Sequence, residues 1–93
     1  MEIKDNQLLR QFETQTELGL LVMEYALQER KLFLTKLIHP EDLDFDLIND
    51  FIIEVLSIAQ EKKWKVVPTH PKVAHFFRKN PIYKELLPPG IKL

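Results

Sequence analysis

The chain has 93 residues, room for one small domain, and its 45% hydrophobic and 29% charged content is that of an ordinary globular protein. A formal net charge of -1 removes the electrostatic case for nucleic acid or an anionic membrane surface as a generic partner. With no cysteine, disulfides, thiolate zinc sites and a cysteine nucleophile are excluded. The opening "MEIKDNQLLRQF" has no basic segment followed by an apolar one, so no signal peptide is expected. No apolar run nears the roughly 18 residues that a membrane span needs, and the lack of cysteine fits a reducing cytoplasm, the expected location. A single domain is expected end to end, with an ordered core over about 2–86.

The first 38 residues are ambiguous by pattern. "LGLLVMEYAL" (Leu18 to Leu27) holds the strand formers Val22 and Tyr25, with Gly19 available for a turn. Its Leu, Met, Glu and Ala residues form helices equally well, so an all-helical protein stays open at this point. "KLFLTKLI" (Lys31 to Ile38) alternates more clearly. Leu32, Leu34 and Lys36 fall on one side, and Phe33, Thr35 and Leu37 on the other, as in a strand buried on one face and partly on the other.

The next stretch, "HPEDLDFDLIND", crowds Glu41, Asp42, Asp44, Asp46 and Asp50 ahead of the most apolar run in the chain. A helix is predicted over about 46–62, because Leu47, Ile48, Phe51, Ile52, Val55, Leu56 and Ala59 recur at spacings of three and four. Asp44 or Asp46 would cap it, with acids at the positive end of its dipole and Lys62 and Lys63 at the negative end. "WKVVPT" then reads as a short strand ended by Pro68. "HPKVAHFFRKN" reads as a second helix, with Pro71 in its first turn and Val73, Phe76 and Phe77 on one face. "IYKELL" suggests one more helical turn, "PPG" ends the ordered part, and a loose tail "IKL" is expected.

Motifs with a chemical reading are weak. Asp42, Asp44 and Asp46 spell the opening of a calcium loop, but Leu47 stands where glycine is required and Ile53 where the bidentate glutamate belongs. His70 and His75 lack a third ligand for zinc. His39, before a proline, reads as a loop residue. Trp64, Phe76 and Phe77 read as packing groups, since no basic groove accompanies them. Lys62, Lys63 and Lys65 read as a solvated helix end.

The order of features carries a resemblance. "IHPE" (Ile38 to Glu41), "KVVPTHPKV" (Lys65 to Val73) and "NPIY" (Asn80 to Tyr83) resemble the "VPPE", "KVVPxCPFV" and "HPEY" segments of a small single-domain branch of the GNAT acyl-CoA N-acetyltransferases. Upstream, "RQFE" and "MEY" are similar to the family's "RFE" and "LEY". The resemblance implies an α+β fold in which a mostly antiparallel sheet of four N-terminal strands leads to the long helix, a fifth strand and a short helix. It favours strands at the N-terminus, with the two ambiguous segments pairing through a turn at "QERK". It also implies acetyl-CoA as the coenzyme of an N-acetyltransferase.

The departures from the family pattern are concentrated in its coenzyme loop. There the pattern Arg/Gln-x-x-Gly-x-Gly/Ala, within "RGxGIA", presents backbone N–H groups at a helix N-terminus to the pyrophosphate. The matching signature positions are Leu43, Asp46 and Ile48, with Asp44 at a further glycine; Ile38 and Leu47 complete the coenzyme positions that the resemblance assigns. The cation and the glycines are gone, and two carboxylates stand in their place. His70 occupies the position of a family cysteine considered for the active site, so it is the one catalytic candidate, as a general base. Lys72 replaces a phenylalanine, and Thr35 and Lys36 stand where the family has "HT". On this chemistry the expected function is a non-catalytic binding or interaction module, with no cofactor and no metal, for an unidentified small molecule or protein. The alternative is an active N-acetyltransferase that holds acetyl-CoA by other contacts.

Overall fold

The computed structural model describes residues 1–93. Strands β1 (Lys4–Asn6), β2 (Gln11–Thr16), β3 (Gly19–Gln28) and β4 (Lys31–Ile38) precede helix α1 (Phe45–Glu61). Strand β5 (Lys65–Pro68), helix α2 (Pro71–Lys79) and a 3-10 helix at Pro81–Leu86 follow. The sheet order is β1-β2-β3-β4-β5. The first four strands are an antiparallel meander, and β5 joins β4 in parallel. A parallel neighbour needs a long crossover, which α1 supplies. The domain is therefore α+β, with a mostly antiparallel five-stranded sheet, as expected, and the N-terminal ambiguity resolves to strands. No helix is long and apolar enough to cross a membrane.

The expected hairpin forms at "QERK". Gln28 pairs with Lys31, and the register runs to Val22 opposite Ile38. Its two-residue turn puts Glu29 and Arg30 at φ 51° and 64°. Positive φ at both centres is the type I′ geometry that suits strand twist but favours Asn-Gly. Arg30 also reaches across to the long helix. Its Nη2 donates to the carbonyls of Lys62 (2.7 Å) and Lys63 (3.3 Å), just past the end of α1.

One expectation for β4 is corrected. Its simple alternation would place Leu37 opposite Leu32 and Leu34, yet Leu32, Leu34 and Leu37 are all buried and Lys36 is exposed. The cause is a bulge: Leu34 faces Tyr25 and Lys36 faces Glu24, so Thr35 is an extra residue with no partner on β3. One extra residue reverses the in-out parity of everything after it. The Thr35 hydroxyl donates to the Glu24 carbonyl at 3.2 Å, satisfying a group beside the irregularity.

Helix α1 spans the predicted segment to within one residue at each end. Six of the seven predicted apolar positions are buried; Leu47 is half-buried. Its C-terminus closes as a Schellman motif. Trp64 N–H donates to Ala59 O (2.8 Å) and Lys63 N–H to Gln60 O (3.1 Å). The left-handed position is Lys63, at φ 59°, where glycine is usual. Helix α2 buries Val73, Ala74, Phe76 and Phe77. The tail lies against the same core: Leu86 and Leu87 are buried, Ile91 and Leu93 pack on the cluster, and Lys84 Nζ donates to Leu93 O at 2.9 Å. At the other edge, the Phe12 and Tyr25 rings stack at 4.6 Å, and the Tyr25 hydroxyl donates to Asp5 Oδ1 at 2.6 Å, tying β1 to β3.

Candidate functional site

The start of α1 holds most of the residues that the resemblance singles out. Asp44 is the N-cap, with extended backbone (φ -60°, ψ 132°), and its Oδ1 accepts from the Asp46 N–H at 3.0 Å. Its carbonyl accepts from the Leu47 N–H (3.1 Å) and the Ile48 N–H (3.2 Å). Of the helix's first three amides, those of Phe45, Asp46 and Leu47, two are thus engaged from within the chain. These are the donors that an anion at a helix N-terminus would use. Asp44 and Asp46 are exposed, so two carboxylates face solvent at this helix end.

The other assigned residues divide: Leu43 and Leu47 line one groove together with Asp44, whereas Ile48 and Ile38 lie outside it. Leu43 is half-buried against the core, and its N–H donates to Pro40 O at 3.2 Å. Ile48 is buried in the core, Leu47 is half-buried, and Ile38 is exposed at the far end of β4. An open groove of about 960 Å³ runs from this loop past the β2–β3 turn and residues 1–4. Its lining includes Glu2, Glu13, Glu17, Asp42 and Asp44 against the single side-chain cation Lys4. Glu13 accepts from the side-chain amides of Gln11 and Asn6, and those hydrogen bonds, Gln11's foremost, keep its carboxyl below the ordinary value. No group of three or more His, Asp or Glu side chains is gathered closely enough to hold a metal ion.

His70 is the N-cap of α2. Its Nδ1 accepts from the Lys72 N–H at 3.2 Å, and Pro71 follows as the first helical residue. Desolvation by burial, and then the Lys72 ammonium, lower its pKa, so the neutral ring is favoured near pH 7. A neutral ring whose Nδ1 accepts carries its proton on Nε2. The second nitrogen is then a donor, the opposite of what a general base requires. The His70 N–H and the Thr69 hydroxyl both donate to Leu34 O, at 3.1 and 2.9 Å, where β5 ends. Pairing between β4 and β5 stops at Leu34 and Pro68, beside the Thr35 bulge, so the last four residues of β4 have no β5 partner.

A second groove, of about 400 Å³, lies between α1 and α2. Lys72 stands at its mouth, with Nζ 2.8 Å from His39 Nε2 and 5.7 Å from the Phe45 ring centroid. His39 Nδ1 donates to Pro40 O at 2.8 Å, which leaves Nε2 as acceptor for the ammonium. Sequence reasoning missed this cluster. His39 and Lys72 are 33 residues apart, and each is ordinary in its own segment. The only local hint was Phe45, an aromatic placed before the buried stripe of α1 rather than within it. No family model matches the chain, and no curated protein matches it.

Proposed function

We propose that the chain is a non-catalytic binding module on a GNAT-like fold, one that does not take acetyl-CoA at the start of its long helix. One observation carries this reading: the Asp44 carboxylate accepts the Asp46 N–H, the donor that a pyrophosphate would otherwise use. Glycine at these positions would permit close approach of phosphate, whereas two exposed carboxylates repel it. Leu43 offers no compensating cation. His70 supports the same reading, because its acceptor nitrogen is spent on a helix cap. Calorimetry with acetyl-CoA tests the proposal, and no saturable heat is the expected result. Micromolar binding by the unaltered protein would sink it. Leu43→Arg combined with Asp44→Gly and Asp46→Gly should restore measurable coenzyme binding if the family loop geometry is otherwise retained.

A second reading, a working N-acetyltransferase with atypical coenzyme contacts, draws on one observation. Pairing of β4 with β5 stops at Leu34 and Pro68, so the backbone of Thr35 to Ile38 has no paired strand on that side for a linear ligand to compete with. On that reading His70 would accept a proton from the substrate amine. Acetyltransferase activity that disappears in His70→Ala, while the fold persists, would establish it over the first.

A further inference from the structure

We propose that the groove between α1 and α2 binds a small amphipathic anion: a carboxylate carried on a short alkyl or aryl body. This deepens the binding-module reading and rests on it, but uses a different face of α1 from the capped N-terminus. Three observations point to this ligand class.

The first is size and floor. The groove encloses about 400 Å³, and the buried side chains Ile48, Ile52 and Phe76 form its base. Ligand pockets start at about 300 Å³ and are mainly apolar, with a few placed polar groups. The second is sign. Lys72 and Lys79 stand on the rim, and none of the ten lining residues is a carboxylate. That is a local choice, since the whole chain carries 14 acidic and 13 basic residues. The larger groove near β2 has the opposite character, with five carboxylates in its wall, so it repels the ligand that the smaller one attracts.

The third is preorganisation. The Lys72 ammonium is held by His39 Nε2, and His39 is held in turn by the Pro40 carbonyl. A lysine otherwise loses considerable side-chain freedom on fixing one geometry. Phe45 beside it is 69% exposed, although it opens a helix that buries six apolar residues in the core. A ring in that position walls the mouth of the groove and offers a face to an apolar ligand body. The energetics require both halves of the ligand. A rim ion pair alone is worth little in water. The floor supplies the burial, and the lysines decide which headgroup is accepted.

A titration of the isotope-labelled full chain, followed by NMR, tests this with octanoate, octylammonium and acetate as probes. Octanoate should shift the resonances of Ile48, Ile52, Phe76 and Lys72 saturably, acetate should not, and octylammonium should bind at least about tenfold more weakly. Lys72→Gln with Lys79→Gln should weaken octanoate by a similar factor while the spectrum of the folded chain is retained. Octanoate that leaves these resonances unmoved at millimolar concentration overturns the proposal, and so does octylammonium binding equally well. The comparison of the two probes on the unaltered protein decides the matter even if the double variant does not fold. A parallel titration with acetyl-CoA separates the two readings. Shifts centred on Asp44 and Asp46 would remove the binding-module reading, while octanoate's failure alone would remove only the ligand named here.

Discussion

Replacing Asp44 by alanine deletes one acceptor atom, Oδ1, 3.0 Å from the Asp46 amide, and leaves that amide to water. Loss of an N-cap aspartate costs about 1 kcal/mol, within roughly 0.5–2. In a domain of this size 1 kcal/mol corresponds to about 4–8 °C in melting temperature. Asp46→Ala is the internal control. It removes the same charge from the first turn but no cap bond, so the loss is about 0.3–1 kcal/mol of dipole stabilisation. Alanine's better helix propensity, by up to about 0.7 kcal/mol, returns much of that. Asp44→Asn keeps an acceptor and drops the charge, so it should fall between the two. The expected order of destabilisation is Asp44→Ala, then Asp44→Asn, then Asp46→Ala, the last near zero. Thermal unfolding by circular dichroism at pH 7, checked by urea midpoints, measures it. Equal shifts for the two alanine variants would refute the cap as the reason for the acidic run, and with it the argument that the anion site is filled from within.

Three further outcomes follow from the same reasoning. Arg30→Ala should destabilise by about 1 kcal/mol, because it removes a charged donor from the carbonyls that end α1 while leaving a residue at positive φ. Arg30→Gly should cost less, since glycine relieves the turn; if it costs more in urea denaturation, the turn is not strained. Lys63→Gly should stabilise by a few tenths to about 1 kcal/mol, relieving φ 59° at the Schellman position; a lower melting temperature would contradict that. For His70, the folded pKa lies below the unfolded value, so the unfolded chain takes up the proton first as pH falls through about 6.5. Its contribution is therefore fully present above that pH and drains as pH drops toward the folded pKa. His70→Asn caps without titrating, and should flatten this part of the urea-midpoint profile; identical slopes in both proteins would count against a depressed His70 pKa.

What the sequence determined by itself was whatever depends on neighbours within a turn or two. The stripe from Ile48 to Ala59 fixed α1 and its buried face, because helical burial repeats at a period set by the backbone alone. Asp44 was among the caps foreseen, and Pro71 marked the first turn of α2. His70 was read from the sequence as a catalytic candidate, and its role as the cap before that proline came only from the structure, since histidine is not a favoured cap. The β3–β4 hairpin was legible from alternation joined to the family resemblance, and not from alternation alone, since Leu, Met, Glu and Ala serve a helix equally. The parity of β4 was not legible. Thr35 becomes a bulge only because Glu24 and Tyr25 on the partner strand skip it, and nothing inside "KLFLTKLI" encodes that. The tertiary structure alone also decided the two grooves and their opposite charges. The β2–β3 turn comes beside the acidic loop, and His39 meets Lys72 across 33 residues, through packing of elements whose contacts are long-range. Local periodicity reports which face of an element is covered, but not by what.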